Sequence, residues 1–283
     1  MRALRGLVMQ IQGGIPKASS VPKLRESQIF SDLSQYADGF YDKNGAKLSS
    51  YFLKWGSQPM KNWSRQWEYP FVADQIGEIS RSHPEAPIKA LDAGSGCSFF
   101  PYFLASQHAN LSVECFDYDP SLIHLFESIE DPGTDRIHFT SGDLRTMPFE
   151  ENSYDLAYCI SVLEHTNQYE EILNDFHRIL KPGGSLVLTI DIAVDGANEI
   201  PPAEAQKILD RAGSIFQKKP EEIDLESKIK DQDCLTTKWV KENNEGILPW
   251  VAPRLSAFRA GLKRGKLSFF PYLTVYGGVW TKT

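Results

Sequence analysis

From about residue 70 onward, short apolar runs alternate with amphipathic segments. Five runs have the length of strands: IKALDA (88–93), LSVECFD (111–117), RIHFT (136–140), YDLAYCI (154–160) and SLVLTID (185–191). Between the last two, YEEILNDFHRIL (169–180) places its apolar residues on one helical face. Apolar strands that alternate with helices are typical of βαβ units and of a parallel sheet covered on both faces. The pattern therefore predicts a doubly wound α/β fold.

The flanking segments divide the chain into two expected parts. YPFVADQIGEIS (69–80) predicts a helix with Pro70 as its first helical residue, and YLTVYGGVWTK (272–282) predicts a final strand. We expect an N-terminal tail and helical lid over residues 1–69 and the main domain over residues 70–283. The charged and polar residues 192–235 are interpreted as an inserted helical segment.

Composition narrows the function classes. The chain has 283 residues, of which 41% are hydrophobic and 24% charged, and no apolar stretch approaches the ~18 residues of a membrane span. A net charge of −7 disfavours a general nucleic-acid binder, which needs a basic face. We therefore expect a soluble protein with neither a membrane nor a nucleic-acid partner.

The cysteines and the N-terminus bear on the compartment. The four cysteines, Cys97, Cys115, Cys159 and Cys234, form no C-x-x-C pair, which favours reduced core thiols and a cytoplasmic location over disulfides or a zinc site. The first 25 residues hold five basic side chains and no acid. They are read either as a transit peptide or as a basic tail.

The stretch LDAGSGCSFF (91–100) contains a glycine loop that follows the first predicted strand. A dinucleotide fingerprint needs a third glycine where this chain has Phe99, and Asp92 would repel a pyrophosphate. S-adenosylmethionine (SAM) fits better, because it has no phosphate and carries an ammonium and a sulfonium. Its carboxylate would lie near the loop N–H groups and the start of the following helix.

Four ordered motifs carry a family resemblance. ALDAGSG, VECFDYDPSLI, FTSGDLRTMPFEENSYDLAYCISVLEH and RILKPGGSLVLTI together resemble the class I SAM-dependent methyltransferases, especially the ubiquinone-biosynthesis-type group that modifies small molecules. The resemblance covers roughly residues 86–192. It implies a Rossmann-like, seven-stranded sheet, mostly parallel with an antiparallel last strand, and SAM as the cofactor, with S-adenosylhomocysteine as the product.

The resemblance also implies roles for particular residues. Asp117 would accept hydrogen bonds from the ribose hydroxyls, Tyr118 would lie against the adenine, and Asp143 with the Leu144 N–H would bind the adenine edge. The backbone of Cys159 and Ile160 would lie against the methionine part of the cofactor. The expected cofactor-binding set is Asp92, Gly94, Ser95, Gly96, Asp117, Tyr118, Asp143, Leu144, Cys159 and Ile160.

Acceptor residues must come from outside these motifs. Nine aromatic residues between positions 36 and 69 are interpreted either as a lid that grips the substrate, through Tyr41, Trp67 and Tyr69, or as helix packing. The basic stretch RLSAFRAGLKRGK (254–266) either steers an anionic substrate or is a solvated helix face. The acceptor is therefore expected to be aromatic or anionic.

His165, which follows the fourth predicted strand, is a candidate general base or a structural residue. Glu164 and Asp191 are either rivals for that role or orient its ring.

Competing enzyme classes leave their own signatures. The residues after the fourth strand, Cys159 to Val162, lack both the Asn/Asp-Pro-Pro-aromatic loop of amino-methylating nucleic-acid enzymes and the Pro-Cys nucleophile of base-flipping enzymes. No metal-ligand spacing is found, so no metal is expected. The sequence predicts a methyltransferase acting on a small molecule by in-line transfer. The alternatives are a SAM-binding structural or regulatory protein and a methyltransferase acting on a protein.

Overall fold

The computed structural model describes residues 10–51, 60, 64–166, 168–196, 199–217, 224–243 and 272–283. The strands are β1 Ile88–Ala93, β2 Leu111–Asp117, β3 Ile137–Ser141, β4 Tyr154–Ile160, β5 Leu180–Ala193 and β6 Leu273–Thr281. The helices are α1 Val21–Arg25, α2 Gln28–Asn44, α3 Arg65–Ser82, α4 Phe100–Gln107, α5 Leu122–Ser128, α6 Tyr169–Ile179, α7 Pro202–Phe216, α8 Leu225–Ile229 and α9 Thr237–Asn243. Short 3-10 helices cover Ala18–Ser20, Thr134–Arg136, Leu144–Thr146 and Leu163–His165.

The sheet has the order β3-β2-β1-β4-β5-β6. The first five strands are parallel, and β6 runs antiparallel to β5 from Leu273 to Thr281. Because the strand order reverses between β1 and β4, the carboxyl ends of these two strands open a crevice where such sheets bind ligands. The prediction of an α/β, mostly parallel sheet with an antiparallel last strand is confirmed.

The expected seven-stranded sheet is corrected to six strands among the described residues. On the free side of β6, Gly14 exchanges two backbone hydrogen bonds with Gly277, of 2.7 and 3.1 Å, as an isolated bridge. Gly14 has a φ of 104°, which turns the chain out of an extended conformation. Pro16 follows and has no N–H to donate. The N-terminal segment therefore touches the sheet edge without adding a strand.

Two element boundaries differ from those that the sequence predicts. The helix expected to start at Pro70 begins at Arg65, because the Ser64 carbonyl accepts the N–H groups of Trp67 and Glu68 and closes a turn before the proline. The last strand of the parallel set begins at Leu180 rather than Ser185, since Tyr154 pairs with Leu180 and a bulge holds the intervening Pro-Gly-Gly. Position 69/70 thus lies inside a helix, and the division into lid and domain stays a prediction.

Helices cover both faces of the sheet. On one face, α2 and α3 pack with the rings of Phe99, Phe100 and Tyr102. On the other face, α6 and α7 pack Phe176 and Phe216 against buried residues of β4 and β5. Helices α7 and α8 occupy much of the region where a helical insertion was expected. Within the described ranges, no helix is both long enough and apolar enough to cross a membrane.

Candidate active site

The glycine loop between β1 and α4 folds back onto the end of β2. The N–H groups of Gly94 and Ser95 donate to the Phe116 carbonyl oxygen, at 2.8 and 3.2 Å, and the Gly96 N–H donates to the Asp117 carboxylate at 2.8 Å. Gly94 has a φ of 73°, and a Cβ there would lie 2.5 Å from the Val162 side chain, so a larger residue does not fit. These three N–H groups bind the protein itself. From the sequence, the cofactor's carboxylate is expected near the N–H groups of this loop. These three N–H groups already have partners within the protein and do not point at such a carboxylate.

Asp92 is a buried acid in the crevice beneath this loop. It is 5% exposed, and burial raises its pKa to about 8, with the nearby Tyr158 hydroxyl lowering it and the charge of Asp117 raising it further. Asp117 ends β2, and its second carboxylate oxygen accepts the Asp119 N–H at 3.0 Å. The structure thus brings the two predicted acids, Asp92 and Asp117, together with the loop. The two groups that shift the pKa of Asp92, Tyr158 and Asp117, are not basic. A bound cation would stabilise both carboxylates.

The predicted adenine-binding residues lie at the open side of the same edge. Tyr118 is 80% exposed, and Leu144 begins a 3-10 helix. Asp143 forms a salt bridge with Arg145, whose hydrogen bonds hold the pKa of the carboxyl near 2. Asp143 would therefore have to share its carboxylate between Arg145 and an adenine amino group.

Cys159 and Ile160 are the last two residues of β4. The Cys159 side chain is fully buried in the core, and burial raises the pKa of its thiol well above the usual value. The two residues pair with Leu188 and Thr189 of β5. Any contribution of Cys159 to ligand binding would have to come from its backbone, as the sequence argument assumed.

A buried polar network joins α3 to the ends of β4 and β5. Glu68 is fully buried, forms an ion pair with Arg65, and accepts hydrogen bonds from Ser161 at 2.6 Å and from Thr189 at 2.5 Å. The Arg65 guanidinium also donates to Ser161 at 3.0 Å. Burial lowers the pKa of Arg65, but the adjacent Glu68 carboxylate outweighs it, so Arg65 stays charged. The network fixes α3 across the carboxyl ends of these strands.

Two more acids lie beside this network. The Glu164 carboxylate accepts the Asp191 N–H at 2.8 Å, and burial raises the pKa of Glu164 to about 7. Burial and the charges of Glu68 and Glu164 raise the pKa of Asp191 well above its usual value. Within the described ranges, one carboxylate oxygen of each has no hydrogen-bond partner although both atoms are buried.

His165 is placed next to Glu199, and the charge of Glu164 acts on the ring as well. Its Nδ1 lies 3.4 Å from a Glu199 carboxylate oxygen, and its side chain is 61% exposed. The hydrogen bond to Glu199 raises its pKa, partly opposed by desolvation. The ring therefore has a carboxylate partner that the sequence argument did not identify. In the part of the chain that the structure describes, no three His, Cys, Asp or Glu side chains are grouped to hold a metal.

The three aromatics proposed to contact substrate have different surroundings. Tyr41 and Tyr69 pack edge-on against Phe99, with ring centroids 6.0 and 5.4 Å apart, and the Tyr69 hydroxyl bonds Ser98 in the glycine loop. Trp67 instead stacks on Phe71 at 4.9 Å, and both rings lie against Gly277 of β6. Packing thus accounts for Trp67, whereas Tyr69 reaches the crevice.

Sequence reasoning missed Glu68, Glu199 and Tyr51. Glu68 had a signal, since an acid flanked by aromatic and apolar residues in WEYPFVAD is out of place on a buried helix face. Tyr51 is one of the nine aromatics between positions 36 and 69 but is not distinguished among them by the sequence, and Glu199 gave no signal, because both meet the site only through tertiary packing. The basic stretch 254–266 and the aromatics Phe52, Trp55 and Trp63 lie outside the described residues.

The residues present fit SAM. A buried acid with a raised pKa suits a sulfonium or an ammonium, and the carboxylate at the end of β2 can accept from ribose hydroxyls. The glycines of the loop are needed by their protein neighbours, since a Cβ on Gly94 would meet Val162 and one on Gly96 would meet Tyr51. The fit to SAM therefore rests on the side chains of Asp92 and Asp117.

Comparisons with known proteins agree with this geometry. A family model described as a methyltransferase domain matches residues 91–188. A sarcosine/dimethylglycine N-methyltransferase of Aphanothece halophytica is 25% identical over 198 residues, which cover 65% of this chain and 69% of that protein. A tRNA(Thr) (cytosine(32)-N(3))-methyltransferase of Saccharomyces cerevisiae is 25% identical over 58% of this chain but only 27% of its own length.

A solved structure shares the fold. It is described as a candidate sarcosine dimethylglycine methyltransferase from Galdieria sulphuraria, and it is 19% identical with a TM-score of 0.50 over 83% of this chain and 97% of that one. The family-model match over residues 91–188 begins within β1 and ends within β5. It therefore includes the glycine loop and both crevice acids, Asp92 and Asp117. Residues 91–188 are thus a methyltransferase domain, and these findings support a class I SAM-dependent methyltransferase with S-adenosylmethionine as its cofactor.

Proposed function

We propose that this methyltransferase acts on a small-molecule acceptor held at the carboxyl ends of β4 and β5, beneath α3. The observation that carries the proposal is the network of Arg65, Glu68, Ser161 and Thr189, which fastens α3 across these strand ends. Glu68 is fully buried there. A site covered by a helix in this way suits a small molecule better than a base within a folded RNA.

The charges at this edge favour a neutral or cationic acceptor. Four acids, Glu68, Glu164, Asp191 and Glu199, face the cations Arg65 and His165. Burial raises the pKa of Glu164 and Asp191, and a cationic acceptor would favour their ionised forms, so this edge disfavours both a nucleic acid and the anionic acceptor considered from the sequence. An amine would find acceptors for its N–H groups in Glu164 and Asp191. The relative from Aphanothece, named for N-methylation of sarcosine and dimethylglycine, supports this choice.

In the mechanism that we propose, the protein mainly positions the reactants and removes a proton. SAM supplies an electrophilic methyl group when bound. Asp117 and Asp92 orient the cofactor, and α3 excludes water from the strand ends, so that positioning provides most of the acceleration. Glu199 faces Nδ1 of His165 and favours the proton there, which leaves Nε2 to accept the acceptor's proton.

Methyl transfer to separated acceptor pools tests the proposal. The protein is incubated with tritiated SAM and, in parallel, with a small-molecule extract, a panel of amines, total tRNA and a protein mixture. We expect label in small molecules, most strongly in amines, and little label with Asp117→Ala. Label confined to tRNA or to protein would contradict the small-molecule assignment.

A further inference from the structure

Tyr51 reaches the glycine loop from the N-terminal part of the chain. A Cβ built on Gly96 would lie 2.1 Å from the Tyr51 hydroxyl oxygen, so that the hydroxyl occupies the space next to this glycine. Gly96 also has a φ of 51°. Glycine is therefore needed at position 96 both for the backbone conformation and for the approach of Tyr51.

The hydroxyl has polar neighbours that belong to the cofactor site. The hydroxyl accepts a hydrogen bond from the Cys97 N–H. Burial raises the pKa of Tyr51, and the nearby carboxylate of Asp117 raises it further. Asp117 itself accepts the Gly96 N–H. Tyr51, Asp117 and the loop backbone thus meet at one place, although 66 positions separate Tyr51 from Asp117 in the sequence.

Tyr36 of α2 is an example of a tyrosine hydroxyl with a structural role. Tyr36 donates to Asp131 at 2.7 Å, and its ring packs edge-on against Phe103, so it joins α2 to the residues before β3. Tyr51 differs, because its hydroxyl is directed at the loop and at an acid of the cofactor crevice. A hydroxyl that accepts from an N–H can donate its own hydrogen to a further oxygen.

We propose that Tyr51 is a cofactor-binding residue, whose hydroxyl is held by the Cys97 N–H and donates to an oxygen of SAM beside Asp117. The N-terminal segment then forms part of the cofactor site, and bound SAM holds it more firmly against the loop. This role does not depend on the identity of the methyl acceptor.

Calorimetric binding of SAM and of S-adenosylhomocysteine to the full chain tests the assignment. Tyr51→Phe removes only the hydroxyl and should weaken both ligands about three- to tenfold, and Tyr51→Ala should weaken them further. Tyr36→Phe is the matched control, since it also removes a hydroxyl from a partly buried tyrosine. We expect it to lower the melting temperature and to leave the dissociation constants unchanged.

Two results would overturn the proposal. Unchanged affinity in Tyr51→Phe would show that the hydroxyl serves packing alone, and tighter binding would show that it competes with the cofactor. Because Tyr51→Phe retains the ring, the comparison survives if Tyr51→Ala does not fold. Protection of residues 10–51 from limited proteolysis by SAM, lost in Tyr51→Phe, gives a second readout that a packing role would not produce. Neither readout uses turnover, so failure of the small-molecule proposal would be recognised separately.

Discussion

Replacing Asp92 by Asn should make the protein more stable and weaken cofactor binding. Burial raises the pKa of Asp92 from 3.8 to about 8, so the folded protein holds a proton that the unfolded chain releases. At pH 7 this uptake costs about 4 kcal/mol, from about 1.4 kcal/mol for each unit between 3.8 and 7. Asn needs no proton. Asp92→Asn should therefore gain up to about 4 kcal/mol at pH 7.

The change in the free energy of unfolding with pH shows the sign of the Asp92 contribution. Between about pH 4 and pH 8 the folded state binds more protons than the unfolded state at Asp92, so its contribution to stability falls as pH rises through this window. The wild-type protein should lose about 1.4 kcal/mol per pH unit from this group, and the Asn variant should not. The difference between the two proteins should therefore grow from pH 5 to pH 8.

Cofactor binding should respond in the opposite direction. A sulfonium or an ammonium near Asp92 favours the ionised acid, so SAM binding should release a proton and tighten as pH approaches 8. Asp92→Asn should bind SAM about 10- to 100-fold more weakly, since a charge-assisted contact is lost.

Urea denaturation between pH 5 and pH 8.5 and calorimetry with SAM make both measurements. Asp155→Asn is the control, because Asp155 bonds the Lys89 N–H and the Lys181 ammonium at the amino end of β4. It should destabilise the protein without changing SAM affinity. An Asp92→Asn variant that is less stable than wild type at pH 7, or that binds SAM equally well, would refute this reasoning.

Three further variants test the crevice and the acceptor edge. Asp117→Ala should cost about 1.5–3 kcal/mol of SAM affinity by calorimetry, and a folded variant with unchanged affinity would exclude the ribose role. His165→Ala should lower the turnover rate about 10²–10⁴-fold and remove the acidic limb of the pH–rate profile. That limb should lie above pH 6.5 in the wild-type protein, since Glu199 raises the His165 pKa. A loss below about tenfold would leave the residue structural. Glu68→Gln should destabilise the fold by about 3 kcal/mol in denaturant because Arg65 loses its buried partner, and a change below about 1 kcal/mol would contradict the network.

Much of the fold could be predicted because the apolar runs are continuous. Runs 88–93, 111–117 and 154–160 match β1, β2 and β4 residue for residue, since strands buried on both faces are mostly apolar. The edges were less predictable. The start of α3 depends on the Ser64 carbonyl and on the packing of Trp67. The outer edge of β6 is contacted by Gly14, which forms backbone hydrogen bonds with Gly277. Neither leaves a periodic signal.

The candidate site divides in the same way. Asp92, Asp117 and the glycine loop could be predicted to lie together, because the carboxyl ends of neighbouring parallel strands meet at one edge. Contacts made by the helices could not, since Glu68 meets Thr189 across 121 positions and the Arg145 salt bridge of Asp143 depends on a local 3-10 turn. Where the N-terminal helices settle decides which side chains cover the crevice, and that depends on packing.

Stoichiometric methyl transfer is the most direct test of the central claim. The wild-type protein is incubated with SAM carrying a trideuterated methyl group and with the amine panel, and mass spectrometry follows both S-adenosylhomocysteine and the acceptor. We predict one trideuteromethylated small molecule for each S-adenosylhomocysteine formed, with both products reduced together in Asp117→Ala. S-adenosylhomocysteine without a methylated small molecule, or a deuterated methyl group found only on RNA or protein, would contradict the account.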